Sequence, residues 1–127
     1  MNINSVEHVN LTVSDPDGSA AVLGRIFGWS VRWQGTSPMG GRVVHVGNDS
    51  SHSTLYSPPG ELPEARTGDS MSRPGFSHLG VVADDLERVE SKVREEGLQP
   101  RGHEDYDPGR RFYFIDGNAI EFEVVQY

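Results

Sequence analysis

The chain of 127 residues contains no cysteine, so disulfides, thiolate zinc sites and cysteine nucleophiles are excluded. Any metal it holds must sit on nitrogen and oxygen ligands. No apolar run approaches the ~18 residues needed to span a bilayer. The opening stretch, Met1-Asn2-Ile3-Asn4-Ser5, lacks the basic and apolar regions of a secretory signal, which predicts a cytoplasmic protein. Positive charge is also scarce: 11 Lys and Arg against 19 Asp and Glu give a formal net charge of −8. An acidic surface repels phosphate backbones, so nucleic acid and anionic membranes are poor partners. No Gly-x-Gly-x-x-Gly, P-loop or Gly-x-Ser-x-Gly pattern occurs, and nucleotide-binding and serine-hydrolase readings fall away.

Glycine is abundant, at 15 of 127 residues against a usual ~7%. Many tight turns between short elements follow. Val9, Leu11 and Val13 alternate with His8, Asn10 and Thr12, the period of a half-buried strand. Ser14-Asp15-Pro16-Asp17 then starts a helix that runs through Ala20 to Phe27 and stops at Gly28. Strand-like runs follow at Trp29–Gln34, Arg42–Val46 and Ser53–Ser57, the first two split by Gly40-Gly41. Residues 61–75 turn to Pro, Gly, Ser and charge without a period, as a linker does. The pattern then restarts with an apolar run at Phe76–Ala83. Asp84-Asp85 caps a helix carrying Leu86, Val89 and Val93. Glu90 and Arg94 pair along it, and Gly97 ends it. Arg110–Ile115 and Ala119–Val125 are the last strands, around an Asp116-Gly117-Asn118 turn.

This is an internal repeat. At an offset of 70, His8-Val9 meets His78-Leu79 and Ser14-Asp15 meets Asp84-Asp85. Each half reads as strand, helix, then about three strands. Neither half buries enough surface to be comfortable alone. The expectation is one α+β domain: module one at about 1–60, a linker at about 61–75 and module two at about 76–127.

Alternation also assigns faces. If Val9, Leu11 and Val13 pack on the helix, His8 faces away, and His78 does the same in the second copy. In the last strand Ile120, Phe122 and Val124 form the apolar face, leaving Glu121 and Glu123 on the other. Two imidazoles and a carboxylate make the facial triad of non-haem Fe(II) sites and also suit Mn(II) or Zn(II). The bland alternative is core or surface histidines with solvated glutamates.

The His-x-x-x-x-Val-x-Asp start (His8 to Asp15), its second copy from His78 to Asp85, and the ending from Tyr113 through Asp116-Gly117-Asn118 to Glu121 resemble the vicinal oxygen chelate superfamily. That group holds glyoxalase I, fosfomycin-resistance transferases, extradiol dioxygenases, methylmalonyl-CoA epimerase and bleomycin-resistance proteins. The resemblance implies paired βαβββ modules forming an eight-stranded, cup-like mixed sheet around a divalent metal, Fe(II), Mn(II), Zn(II) or Ni(II), usually in a homodimer. It implies His8, His78 and Glu121 as ligands. A fourth ligand late in the first module, a glutamate or glutamine in glyoxalase I, has no counterpart in Ser53–Ser57, where Tyr56 lies near the position. His52 or His45 could substitute, though neither matches the pattern.

Three ligands point toward the dioxygenases and fosfomycin transferases. From the dioxygenases come Tyr113, to hydrogen-bond a metal-bound oxygen, and His103 as the nearest candidate acid/base. The turn after Tyr113 is two residues shorter than the family's Asp-Pro-x-Gly-Asn. Arg111 shares a face with Tyr113, either as a solvated strand-start charge or as a carboxylate or phosphonate binder. Trp29 and Trp33 are equally core or pocket wall. The leading reading is a metal-dependent enzyme, dioxygenase-like or glyoxalase-related, binding a small molecule. The rivals are a fosfomycin-type transferase and a metal-free binding protein of the bleomycin-resistance kind, whose cationic ligands the charge of −8 would attract.

Overall fold

Apolar alternation and two aspartate caps decide the architecture. A computed structural model describes residues 4–64 and 74–127, and the chain divides into two units, Met1–Pro63 and Glu64–Tyr127. The linker expected at 61–75 falls mostly on residues 65–73, which lie outside the described residues.

The first unit runs β1 (His8–Thr12), α1 (Pro16–Phe27), β2 (Ser30–Thr36), β3 (Arg42–Gly47) and β4 (His52–Ser57). The Asp15 carboxylate accepts from the Gly18 N–H at 3.1 Å, and Pro16 sits where its missing N–H costs nothing. Gly28 closes α1 in the left-handed conformation, φ 76°. The helix buries Ala20, Leu23 and Ile26 over Val44, Val46 and Leu55 of the sheet. Strand order is β1-β4-β3-β2, with β1 parallel to β4 and the other pairs antiparallel. Gly41 is obligatory at the β2–β3 turn: its φ is +88°, and a Cβ there would lie 2.3 Å from the Ser57 carbonyl oxygen.

The second unit repeats the plan: β5 (Leu79–Val82), α2 (Leu86–Glu95), β6 (Arg101–Tyr106), β7 (Gly109–Ile115) and β8 (Glu121–Gln126), ordered β5-β8-β7-β6. Asp85 caps α2 through the Arg88 N–H at 3.1 Å. Phe112, Phe114 and Phe122 are fully buried, and the rings of Phe114 and Phe122 stack at 5.0 Å. Both units are thus βαβββ modules with four-stranded mixed sheets.

One strand escapes the periodicity argument. β6, Arg-Gly-His-Glu-Asp-Tyr, is exposed along its whole length and has no apolar face to alternate. It is a charged edge strand, held by its pairing with β7. Among the described residues no helix is long and apolar enough to cross a membrane.

Truncating the stacked core should be costly. Phe122→Ala is expected to remove about 3–5 kcal/mol of stability, read from the shift in urea midpoint. A loss under about 1 kcal/mol would contradict the tight packing of this ring.

Candidate metal and ligand site

In the first unit the sheet face opposite α1 carries one ring from each strand. His8 on β1 stacks on His52 of β4 at 5.1 Å and 12°. His52 stacks on His45 of β3 at 4.5 Å and 21°. Trp33 of β2 completes the row, 5.2 Å from His45. Beside the row lies a cleft of about 460 Å³, lined by these four rings with Glu7, Arg32 and Thr54.

The neighbours of the two imidazoles assign their protons. His8 Nδ1 is 2.8 Å from Glu7 Oε1. A carboxylate only accepts, so Nδ1 carries the hydrogen and the Nε2 lone pair of His8 is left for a metal. The hydrogen bond from His8 holds the Glu7 carboxyl below its usual range. His52 is the reverse case. Arg32 Nη1 donates to His52 Nδ1 across 3.1 Å, which leaves neutral His52 with an N–H at Nε2. Burial, with the charges of His45 and Arg32, pushes the His52 pKa down, so the ring stays neutral at pH 7. Ligand atoms of Glu7, His8 and His52 lie within 4.8 Å of one another.

The second unit holds a more buried constellation. His78, just before β5, has Nδ1 3.0 Å from Ser77 Oγ and Nε2 3.2 Å from Glu123 Oε1. Arg111 Nη1 donates to Glu123 Oε2 at 3.3 Å. Tyr113 presents its ring edge to His78 at 5.7 Å. Burial and a hydrogen bond to Glu123 raise the Tyr113 phenol to about 12. Glu121 lies two residues earlier on β8, on the same face as Glu123. Because Leu79 pairs with Phe122 in a parallel ladder, Glu121 is level with His78.

Several expectations change. Arg111 is not a solvated charge: it is 9% exposed, with Tyr106 stacked over its guanidinium at 4.4 Å. Its Nε and Nη2 have no partner among the described residues. On β4, which begins one residue before the expected strand, the residue level with His8 is His52. Tyr56 instead pairs with Thr12, and its hydroxyl donates to the Gly40 carbonyl. The repeat carried this signal: His8 against His52 in the first unit matches His78 level with Glu121 in the second.

His103 and Tyr113 are not brought together. His103 is on β6, with Nε2 bonded to Glu90 of α2 and its ring on Phe112, hence on the helix side of the sheet. Tyr113 faces the opposite side with His78. The tryptophans divide: Trp33 is half exposed at the cleft, whereas Trp29 packs on Phe27 at 4.7 Å. His8 belongs to the first unit, and His78, Glu121, Tyr113 and His103 to the second.

The raised Tyr113 pKa means that the fold holds this proton. The associated stability is complete below pH 10, the value for an unperturbed phenol, and is lost as pH rises through about 12. Ultraviolet titration should show one late-ionising tyrosine that disappears in Tyr113→Phe. An unchanged titration curve in that variant, apart from one phenol lost near pH 10, would contradict the assignment.

Comparisons with known proteins place these observations. No curated protein matches the sequence. A glyoxylase/bleomycin resistance protein/dioxygenase domain from Frankia sp. EAN1pec is 22% identical, with 98% of each chain covered and a TM-score of 0.82. The fosfomycin resistance protein FosX from Listeria monocytogenes, solved with Mn(II) and sulfate, is 16% identical over 99% of this chain and 94% of that one, TM-score 0.72. TnmS3, an antibiotic binding protein from Streptomyces sp. CB03234, is 19% identical over 99% and 98%, TM-score 0.70. At these identities the likeness is one of fold. The sequence itself matches the family profile across residues 5–122, and the chain therefore belongs to the glyoxalase/bleomycin resistance protein/dioxygenase superfamily.

Proposed function

We propose that this chain is a divalent-metal-dependent enzyme that chelates two vicinal oxygens of a small substrate, dioxygenase-like or glyoxalase-related. The proposed ligands are His8, His78 and Glu121, as the family pattern implies, for Fe(II), Mn(II), Zn(II) or Ni(II). The observation that carries the reading is the Glu7–His8 pair, 2.8 Å apart at an open cleft. A carboxylate that takes the Nδ1 proton of an imidazole orients the ring and leaves Nε2 as the ligand atom, as in many metal sites. The donor set of imidazoles and carboxylate suits these ions.

When bound, the metal supplies Lewis-acid stabilisation of negative charge on the substrate oxygens. The chain's own residues do the rest. His52 offers its Nε2–H beside His8 as a hydrogen-bond donor. Tyr113 stays protonated at neutral pH and acts as a donor, not as a base. Glu123 is engaged by Arg111 and His78, and the carboxylate ligand is assigned to Glu121 as the family pattern implies; His78, with Ser77 on Nδ1 and Glu123 on Nε2, would exchange one of these contacts for the metal. The homodimer and the cytoplasmic setting belong to the same reading. FosX, which shares this fold, was solved with Mn(II) bound, in keeping with a metal-binding reading. TnmS3 is named an antibiotic binding protein, a name in keeping with the alternative of a small-molecule binding protein.

Calorimetric titration with Mn(II) tests the proposal. Wild type should bind the ion at micromolar concentration, and His8→Ala, His78→Ala or Glu121→Ala should abolish that binding. Glu123→Gln should weaken it by about 10–100-fold, the effect of removing an outer-shell partner. No uptake by wild type, or equal binding by His78→Ala, sinks the enzyme reading in favour of a metal-free binding protein.

A further inference from the structure

β2 contains an irregularity that regular alternation would not produce. Val31 pairs with Val46, but Trp33 pairs with His45, so one extra residue is inserted between them. In a regular strand Arg32 and Trp33 would face opposite sides of the sheet. The bulge breaks that rule, and both side chains line the cleft.

The indole is seated as well as exposed. A Cβ at Gly35 would come within 2.7 Å of Trp33 Cη2 and 2.8 Å of Cζ2, so the ring lies along the strand against Gly35. His45 bounds it on one side, and Trp33 remains 50% exposed. Arg32 spends one N–H on His52 Nδ1. Among the described residues it makes no other hydrogen bond, so the remaining donors of its fork are open to a ligand. Glu7, the acidic group of the cleft, is turned to His8. Locally, then, an exposed guanidinium stands beside an open indole face, despite a chain charge of −8.

We propose that this cleft takes a planar, conjugated carboxylate, its ring on the indole of Trp33 and its carboxylate on the guanidinium of Arg32. Stacking selects flat ligands, because an aromatic face gains most from a parallel partner at van der Waals distance. The guanidinium fork matches the two oxygens of a carboxylate. This names a ligand class for the site proposed above, and rests on that reading only for where the metal lies.

The test uses the full chain, metal-free, labelled with nitrogen-15. The indole N–H signal of Trp33 is identified by its absence in Trp33→Phe, and Trp29 serves as the internal control. Benzoate should shift the Trp33 signal saturably and leave Trp29 unmoved. Benzyl alcohol, flat but neutral, and cyclohexanecarboxylate, charged but not flat, should each bind about tenfold more weakly or worse. Arg32→Met should weaken benzoate by a similar factor while leaving the circular dichroism spectrum unchanged. No saturable shift, or equal affinity for cyclohexanecarboxylate, overturns the proposal. So does a Trp33 shift that follows protein concentration instead of benzoate, which would make this wall a contact between copies of the chain. Benzoate binding without Mn(II) uptake leaves the inference standing and removes the metal reading. Mn(II) uptake without benzoate binding does the opposite.

Discussion

The parallel pairing of the first and last strands in each unit is the constraint on which the rest depends. A parallel pair cannot be closed by a hairpin, so the chain must cross over, and the crossover helix then covers one face of the sheet. In the first unit α1 takes the face of Leu11, Val44 and Leu55. Every residue of opposite parity is turned away from it. The same pairing fixes register: His8 stands level with His52, and His78 level with Glu121. Positions 44 residues apart in sequence, His8 and His52, thus become ring-on-ring neighbours at 5.1 Å.

The two units use that polar face differently. In the first, the face is an open cleft where imidazoles stack and the charged groups Glu7 and Arg32 sit at the rim, each bonded to a different histidine. Those two contacts divide the histidines into one with a free lone pair and one with a free N–H. In the second, Arg111 is buried and its partners are partly so. Arg111, Glu123 and His78 form a chain of contacts whose members restrain one another, and burial keeps the Tyr113 phenol protonated. A guanidinium this enclosed with two unpartnered nitrogens costs stability. Contacts to Arg111 and His78 hold Glu123 from both carboxylate oxygens.

Most of the fold was legible in the sequence because it rests on local signals. Apolar alternation, the aspartates at 15 and 85 and the glycines at 28 and 97 mark strands and helix ends without knowledge of the tertiary structure. β6 was not legible, since an edge strand with both faces exposed carries no hydrophobic period. The facing of His8, His78 and Glu123 followed from parity. The role of His52 did not, because it depends on a register between strands far apart in sequence. Arg111 stayed open for a related reason: at the start of a strand it can read as solvated, and its enclosure against Tyr106 is a tertiary contact. The adjacency of Arg32 and Trp33 is the least predictable feature, since a bulge inverts the parity on which such readings depend.

The account stands or falls on nitrogen and oxygen ligation by His8, His78 and Glu121. X-ray absorption at the metal edge of the Mn(II)-loaded protein addresses it most directly. The account predicts a first shell of two imidazole nitrogens and carboxylate oxygen, with one imidazole lost in His8→Ala. A shell of oxygens alone, or a spectrum unchanged by that substitution, would contradict it.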